Sequence, residues 1–327
     1  MTYCVAFLLD AGLVFASDSR TNAGVDYIST YSKMHVFQPA PDRMFVLLAA
    51  GNLGTTQAVL NQIQRELRRQ GVAPTGPARP GTPVGSGPGL SGEAGNPPLQ
   101  TSVFVGVPEA GQPQRSTMLG CDPAAAPARG AVAGDARHAT QHAKDRKEEE
   151  KQLPNLLTAE YLFEAADYVG RMSVAVQDQH RATLHQSGAS AEATFILGGQ
   201  IEGDRHGLYL IYPQGNAVMA TRETPFLQIG ESKYGKPPLD FVGHCGLSLE
   251  DAARLCLISQ IITRRSNLSV GPPFELALMP ANELRISRRI KLGKGAPEIS
   301  RSMQVWAGCM QEGLRRLPRF AWEEDPL

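Results

Sequence analysis

The sequence predicts an α+β protein folded as a four-layer αββα sandwich. Strand-like apolar runs come in hairpin-linked groups, which favours antiparallel sheets. Each helical pattern is apolar on one face only, so each helix covers one side of a sheet. The groups follow one another as strands, two helices, strands, helix, strands, helix. Two sheets stacked face to face, with helices outside, bury all of these faces.

The elements follow in chain order. Thr2–Leu9 is an apolar run ended by the turn Asp10-Ala11-Gly12, and Leu13–Ser17 is the returning strand. Met44–Ala50 is apolar throughout, as a strand buried on both faces requires. Thr55 or Thr56 is expected to cap a helix that places Leu60, Ile63 and Leu67 on one face. Composition then breaks: Gly71–Asp135 holds 13 Gly and 11 Pro in 65 residues. Such a segment buries too little apolar surface to offset its ordering entropy. The charged run His138–Lys151 follows it. Residues 71–152 therefore read as a flexible insertion in a single domain spanning 1–327, with Thr101–Val107 a lone strand-like run inside it.

Beyond the insertion, Leu156, Ala159, Leu162, Ala166, Val169 and Met172 keep helical spacing. Ala193–Gln200, Leu208–Tyr212 and Ala217–Thr221 read as strands joined by turn-rich loops. Ser248, with Asp251 three residues on, opens a third helix. Phe274–Met279 and Glu283–Leu292 read as strands, and Ser300–Leu314 as the last helix.

Composition excludes several functions. The chain has 327 residues, with 32 Lys plus Arg against 32 Asp plus Glu. That balance argues against nucleic-acid binding, which needs a basic surplus. No apolar run reaches the roughly 18–20 residues of a membrane span. The five cysteines form no CxxC pair, so neither a disulfide framework nor a zinc site is expected. The N-terminus lacks a basic stretch before its apolar run and carries Asp10 within it, unlike a secretory signal. A cytoplasmic protein is expected.

The chemistry is concentrated near the start. Removal of Met1 would make Thr2 the N-terminal residue. Its hydroxyl is a nucleophile, and its own α-amine, ordinarily titrating at about 7.7–8.0, is a base. The turn at Asp10–Gly12 returns Asp18 to the level of Thr2 and Cys4. Thr2 and Asp18 share parity, so their side chains are expected on one face. Lys33 beside Thr2 would favour the deprotonated hydroxyl and a neutral amine, with Asp18 keeping the lysine charged and oriented. Gly51, at the end of a buried strand, lets a backbone N–H face a developing oxyanion. His138 and His142 have helical metal spacing but lie in the insertion, and Asp204 and His206 sit in a turn. No metal site or cofactor is expected.

These pieces resemble one family. MTYCVAFLLDAGLVFASDSRTNAG, with Lys33 and LLAAGNLGTTQAV behind it, is similar to the proteasome β-subunit class of N-terminal-nucleophile hydrolases. The nearest match is the bacterial proteasome-related ancestral β-subunit (Anbu) family. QLPNLLTAEYLFEAADYVGR, FILGGQIEG, FLQIGESKYGKPPLD and RRSNLSVGPP extend the similarity.

The resemblance implies a threonine-type peptidase acting on peptides or unfolded proteins. Thr2 is then the nucleophile, Asp18 and Lys33 its charge partners, and Gly51 the oxyanion amide. Ser232 and Ser269 match serines near the threonine amine. Arg20, Thr21 and Asn22 would line the substrate strand, and Ala49 and Leu53 a small apolar specificity pocket. Ser266 stands where active proteasome β-subunits carry an Asp. That departure keeps two alternatives open, a catalytically weak self-assembling protein and a non-peptide amidase. A homo-oligomeric ring or spiral is expected, served by a separate ATPase if unfolding is needed.

Overall fold

A computed structural model describes residues 2–22, 28–72 and 153–323. Strand β1 (Tyr3–Leu9) turns through Asp10 and Ala11 into β2 (Gly12–Asp18), pairing Leu9 with Gly12 and Cys4 with Ser17. The short β3 (Arg20–Asn22) and β4 (Ile28–Thr30) pair only with each other. Next come β5 (Met34–Ala40), β6 (Arg43–Gly51) and helix α1 (Leu53–Arg69). Helix α2 (Leu162–Gln186) precedes β7 (Ala193–Ile201), β8 (Gly207–Ile211), β9 (Ala217–Met219) and β10 (Phe226–Gly230). Helices α3 (Ser232–Val242) and α4 (Leu249–Ser266), strands β11 (Phe274–Pro280) and β12 (Arg288–Leu292), and helix α5 (Pro297–Arg315) complete it.

The strands form two antiparallel five-stranded sheets, ordered β10-β1-β2-β11-β12 and β5-β6-β7-β8-β9. Three apolar slabs lie between four layers. The first joins α1 and α2 to β6, β7 and β8 through Phe45, Leu47, Ile63, Val169 and Phe195. The second fills the space between the sheets with Cys4, Ala6, Phe15, Val46, Leu48 and Ile196. The third joins α4 to β1, β2 and β11 through Val5, Phe7, Val14, Cys256 and Leu276. Alternate residues of β1 and β2 thus feed two different slabs, as strand periodicity dictates. Each large side chain buried this way contributes roughly 1.5–3 kcal/mol. Trp306 of α5 packs against the third slab, while Trp322 is exposed and stacks on Phe320, centroids 5.5 Å apart.

The structure departs from the sequence reading in several places. Asn52, not Thr55 or Thr56, caps α1: its Oδ1 accepts from the Thr55 amide at 3.1 Å. Both threonines are buried in the first turn. Leu156 and Ala159 are buried with α2 but precede it, because the Asn155 carboxamide accepts the Leu157 and Thr158 amides and closes a separate turn. The stretch 283–287 is a turn rather than strand, with Asn282 and Leu284 at φ of 64° and 47°. Helix α3 was not anticipated because Pro237 and Pro238 lie inside it. Strands β5 and β10 are too short in apolar pattern to stand out. The Ser248 cap is present, its Oγ accepting from the Asp251 amide at 3.0 Å.

The described residues belong to one compact unit. Residues 73–152 lie outside the described residues, so the expected insertion beyond Val72, with Thr101–Val107, His138 and His142, does too. Among the described residues no helix is long and apolar enough to cross a membrane.

Candidate active site

Thr2 stands at the head of β1, held by the residue that follows it. Tyr3 is fully buried and fixed at both backbone atoms and at its hydroxyl. Its amide donates to Asp18 Oδ1 at 3.0 Å, and its carbonyl accepts from Gln260 Nε2 at 3.1 Å. Its phenol oxygen meets Ser259 Oγ at 2.6 Å and Gln228 Nε2 at 2.5 Å. The Thr2 carbonyl accepts from the Glu231 amide at 2.7 Å. That approach requires Gly230, which has φ of 84°; a Cβ there would lie 2.0 Å from the Thr2 carbonyl oxygen.

Asp18 and Lys33 meet as expected, but by a different route. The two-residue turn sets a register in which paired β1 and β2 residues sum to an odd number, so Asp18 falls level with Tyr3. Shared parity therefore puts Thr2 and Asp18 on opposite faces of the ladder, and the parity argument fails. Asp18 instead works at the strand end. Its Oδ1 accepts from Lys33 Nζ at 2.6 Å and its Oδ2 from the Gly271 amide at 3.2 Å. Lys33 also donates to the Arg20 carbonyl at 2.7 Å. The pair is buried, Lys33 6% exposed and Asp18 0%. Burial pushes the Asp18 carboxyl up, while the Lys33 ammonium and the Tyr3 and Gly271 amides oppose that.

A second buried carboxylate steadies the segments carrying this pair. Glu275, the second residue of β11, accepts from Ser19 Oγ and Ser32 Oγ, each at 3.0 Å. These serines flank Asp18 and Lys33. Arg289 and Lys291 on β12 complete its shell, each at 3.2 Å. Burial alone would push the Glu275 carboxyl up; Lys291, Ser19 and Arg289 outweigh it and hold it below the usual range. A Glu in the apolar run FELALMP was the sequence signal for this group.

Thr2 opens onto a cavity of about 410 Å³. Thr21, Ala49, Gly51 and Leu53 line it, as anticipated, but so do Ser32, His35, Thr56 and Gln57. Ala49 and Leu53 thus share the cavity wall with the polar side chains of Ser32, Thr56 and Gln57. Burial pushes the His35 imidazole down to about 4, so it is neutral at pH 7. Gly51 ends β6 at φ of 114°, where a Cβ would strike the Glu192 carbonyl oxygen at 2.3 Å. Arg20 directs its guanidinium to the Leu268 carbonyl at 2.6 Å. Asn22 closes β3.

Ser232 begins α3, and Ser269 lies just past the end of α4. Ser266 is exposed. The side chain that meets Ser269 is Asn267, whose Oδ1 accepts from Ser269 Oγ at 2.5 Å. Asn267 Nδ2 in turn donates to the buried carboxylate of Glu231 at 2.8 Å. Neither Glu231 nor Asn267 stands out in the sequence, because the two meet only in the fold, 36 positions apart. Cys4 and Cys256 are buried, and burial pushes both thiols up, which disfavours the reactive thiolate. Cys245 is half-buried. Among the described residues no cluster of His, Cys, Asp and Glu could hold a metal ion.

No protein-family model and no curated protein matches the sequence. Solved structures do. An Anbu protein from Hyphomicrobium sp. strain MC1 is 31% identical, with a TM-score of 0.65 over 98% of this chain and 99% of that one. Anbu (ancestral beta-subunit) from Yersinia bercovieri is 29% identical, with a TM-score of 0.65 over the same shares. The structure titled "Helical Assembly of the Anbu Complex from Pseudomonas aeruginosa" is 30% identical, with a TM-score of 0.68 over 99% of this chain and all of that one. With identity at this level over whole chains, and with the two sheets between helix layers seen here, the chain belongs to the proteasome-related Anbu family and has its N-terminal-nucleophile hydrolase fold.

Proposed function

We propose that the chain is a threonine-type endopeptidase acting on peptides or unfolded proteins once Met1 is removed. The observation that carries this reading is the buried Asp18–Lys33 pair, closed at 2.6 Å beside the anchored head of β1. Thr2 Oγ attacks the scissile carbonyl carbon while its proton passes to the Thr2 α-amine. The oxyanion faces the Gly51 amide, and Lys33 favours the ionised hydroxyl. The C–N bond breaks as the leaving amine takes the proton from the α-ammonium. Water then adds to the acyl-enzyme with the same amine as base and releases the acid. Arg20, Thr21 and Asn22 would align the peptide, and Ala49 and Leu53 would receive one side chain with Thr56, Gln57 and His35.

A peptide epoxyketone tests this, because it needs both Oγ and a free amine. Intact mass of the purified chain should show Met1 absent, and the adduct should map to Thr2. Thr2→Ala should abolish labelling. An unlabelled chain that does begin at Thr2 would falsify the peptidase reading.

One observation favours a second role beside the first. Helices α3 and α5 expose Phe241 (90%), Val305, Met310 and Leu314. Apolar exposure on this scale marks an interaction surface. The Pseudomonas aeruginosa relative is described as a helical assembly. We read this chain as a homo-oligomer too, in a ring or spiral, with any ATPase supplied by another protein.

A further inference from the structure

The residue at 266 leaves the Thr2 amine without the carboxylate expected near Ser269, yet a carboxylate is present from another element. Strand β1 lies between β2 and β10, so its first residue is flanked on two sides. From the β2 side come Asp18 and Lys33. From the β10 side comes Glu231, whose backbone already binds the Thr2 carbonyl.

Glu231 is only 8% exposed and is one of the residues lining the same cavity as Thr2. Among the described residues its partners are few for a buried charge. Asn267 Nδ2 donates to Oε2 at 2.8 Å, and Lys233 Nζ, on an exposed side chain, stands 3.8 Å from Oε1. A buried carboxylate with one neutral donor and one distant cation is undercompensated and favours a further cation. Asn267 is itself fixed, with Oδ1 accepting the Ser269 hydroxyl at 2.5 Å and the Ser269 amide at 3.0 Å. The chain Ser269–Asn267–Glu231 thus ends at the residue whose amide holds the Thr2 carbonyl at the head of β1.

We propose that Glu231 is the charge partner of the Thr2 α-amine, with Asn267 and Ser269 as the residues that hold it in place. The proposal deepens the peptidase reading, sharing with it only the need for a chain that begins at Thr2. Glu231 is a positioning residue: it orients the base and favours its protonated form. Lys33 opposes it with a like charge. Asp18 from β2 is neutralised by Lys33, Lys233 from α3 is exposed, and His35 from β5 is the remaining titratable group lining the cavity. Glu231 and Lys33 therefore set the titration of the amine in opposite directions.

The test uses the full-length chain prepared to begin at Thr2. Acetylation of the Thr2 amine by acetic anhydride is followed against pH by peptide mass spectrometry. In Glu231→Gln the titration midpoint should fall by about one pH unit, making the amine about tenfold more reactive below both midpoints. Asn267→Ala keeps the charge but loosens its aim, and should lower the midpoint less. It also serves if Glu231→Gln does not fold. A merely structural role would shift the melting temperature and leave the titration alone, so an unchanged midpoint in whichever variant folds overturns the proposal. Epoxyketone labelling of the wild type is read in parallel. A titration shift without labelling sinks the peptidase reading and keeps this one; labelling without a shift does the reverse.

Discussion

At the end of the sandwich where β1 begins, Asp18, Lys33, Glu231 and Glu275 are all buried. At the other end, where β1 turns into β2, Asp10 pairs with Arg222 while their side chains remain 53% and 72% exposed. Acid–base pairs at the two ends of the β1–β2 hairpin are held in opposite ways. At the exposed end water screens the pair and the protein gains little from it. At the buried end each charge has lost its water, and only a matching partner keeps it tolerable. Amides of Tyr3 and Gly271 serve Asp18, and two serine hydroxyls with Arg289 and Lys291 serve Glu275. Such placement makes the site end rigid and sensitive, and the turn end tolerant.

The largest expected effect comes from breaking the buried pair. Lys33→Met keeps most of the volume but strands the Asp18 carboxylate. Urea unfolding should show a loss of about 3–5 kcal/mol. Adding Asp18→Asn should recover more than half of it. A loss below about 1 kcal/mol in the single variant would mean that the pair behaves like an exposed one. Lys33 variants are thus tests of stability as well as of chemistry.

A smaller effect is expected with pH. Burial holds the His35 imidazole at about 4, against an ordinary 6.5. The unfolded chain therefore takes up a proton first, and the stability from keeping His35 neutral is complete above pH 6.5 and declines as pH falls toward 4. The Glu275 carboxyl, held below its ordinary 4.5, adds a loss in the same direction on further acidification. Urea midpoints at pH 7.5, 5.5 and 4.5 should fall in that order. His35→Gln should flatten the step from 7.5 to 4.5 relative to wild type; an equal slope in both would show that His35 remains hydrated. The smallest effect belongs to the turn end, where Asp10→Asn should leave the melting temperature unchanged within error at physiological salt.

Much of this contrast was legible in the sequence, for uneven reasons. The long apolar runs of β1, β6, β7 and β11 and the one-sided helices give the four layers, because burial on one or two faces leaves a periodic trace. Asp18 and Lys33 were visible as charges beside a nucleophile at the chain start. Their geometry was not, since one residue of register decides which face a side chain takes and a turn of Asp, Ala and Gly does not state its own length. Glu231, Asn267 and Glu275 escaped because the contacts that join them to the site span the chain, 36 positions between Glu231 and Asn267 and 256 between Ser19 and Glu275. Helix α3 escaped because its two prolines argue against a helix that packing on α4 makes worthwhile, with Ser259 Oγ donating to the Gly235 carbonyl at 2.6 Å.

Both tryptophans of the chain, Trp306 and Trp322, sit in or just beyond α5. Intrinsic fluorescence is therefore a local reporter, lit from the helix layer outside the first sheet and blind to the cleft. Self-association through α5 would take Trp322 out of water and move its emission to the blue, whereas a peptide entering beside Thr2 would leave the spectrum nearly still. An optical titration of this protein reads assembly, and the chemistry of its cleft has to be followed by other means.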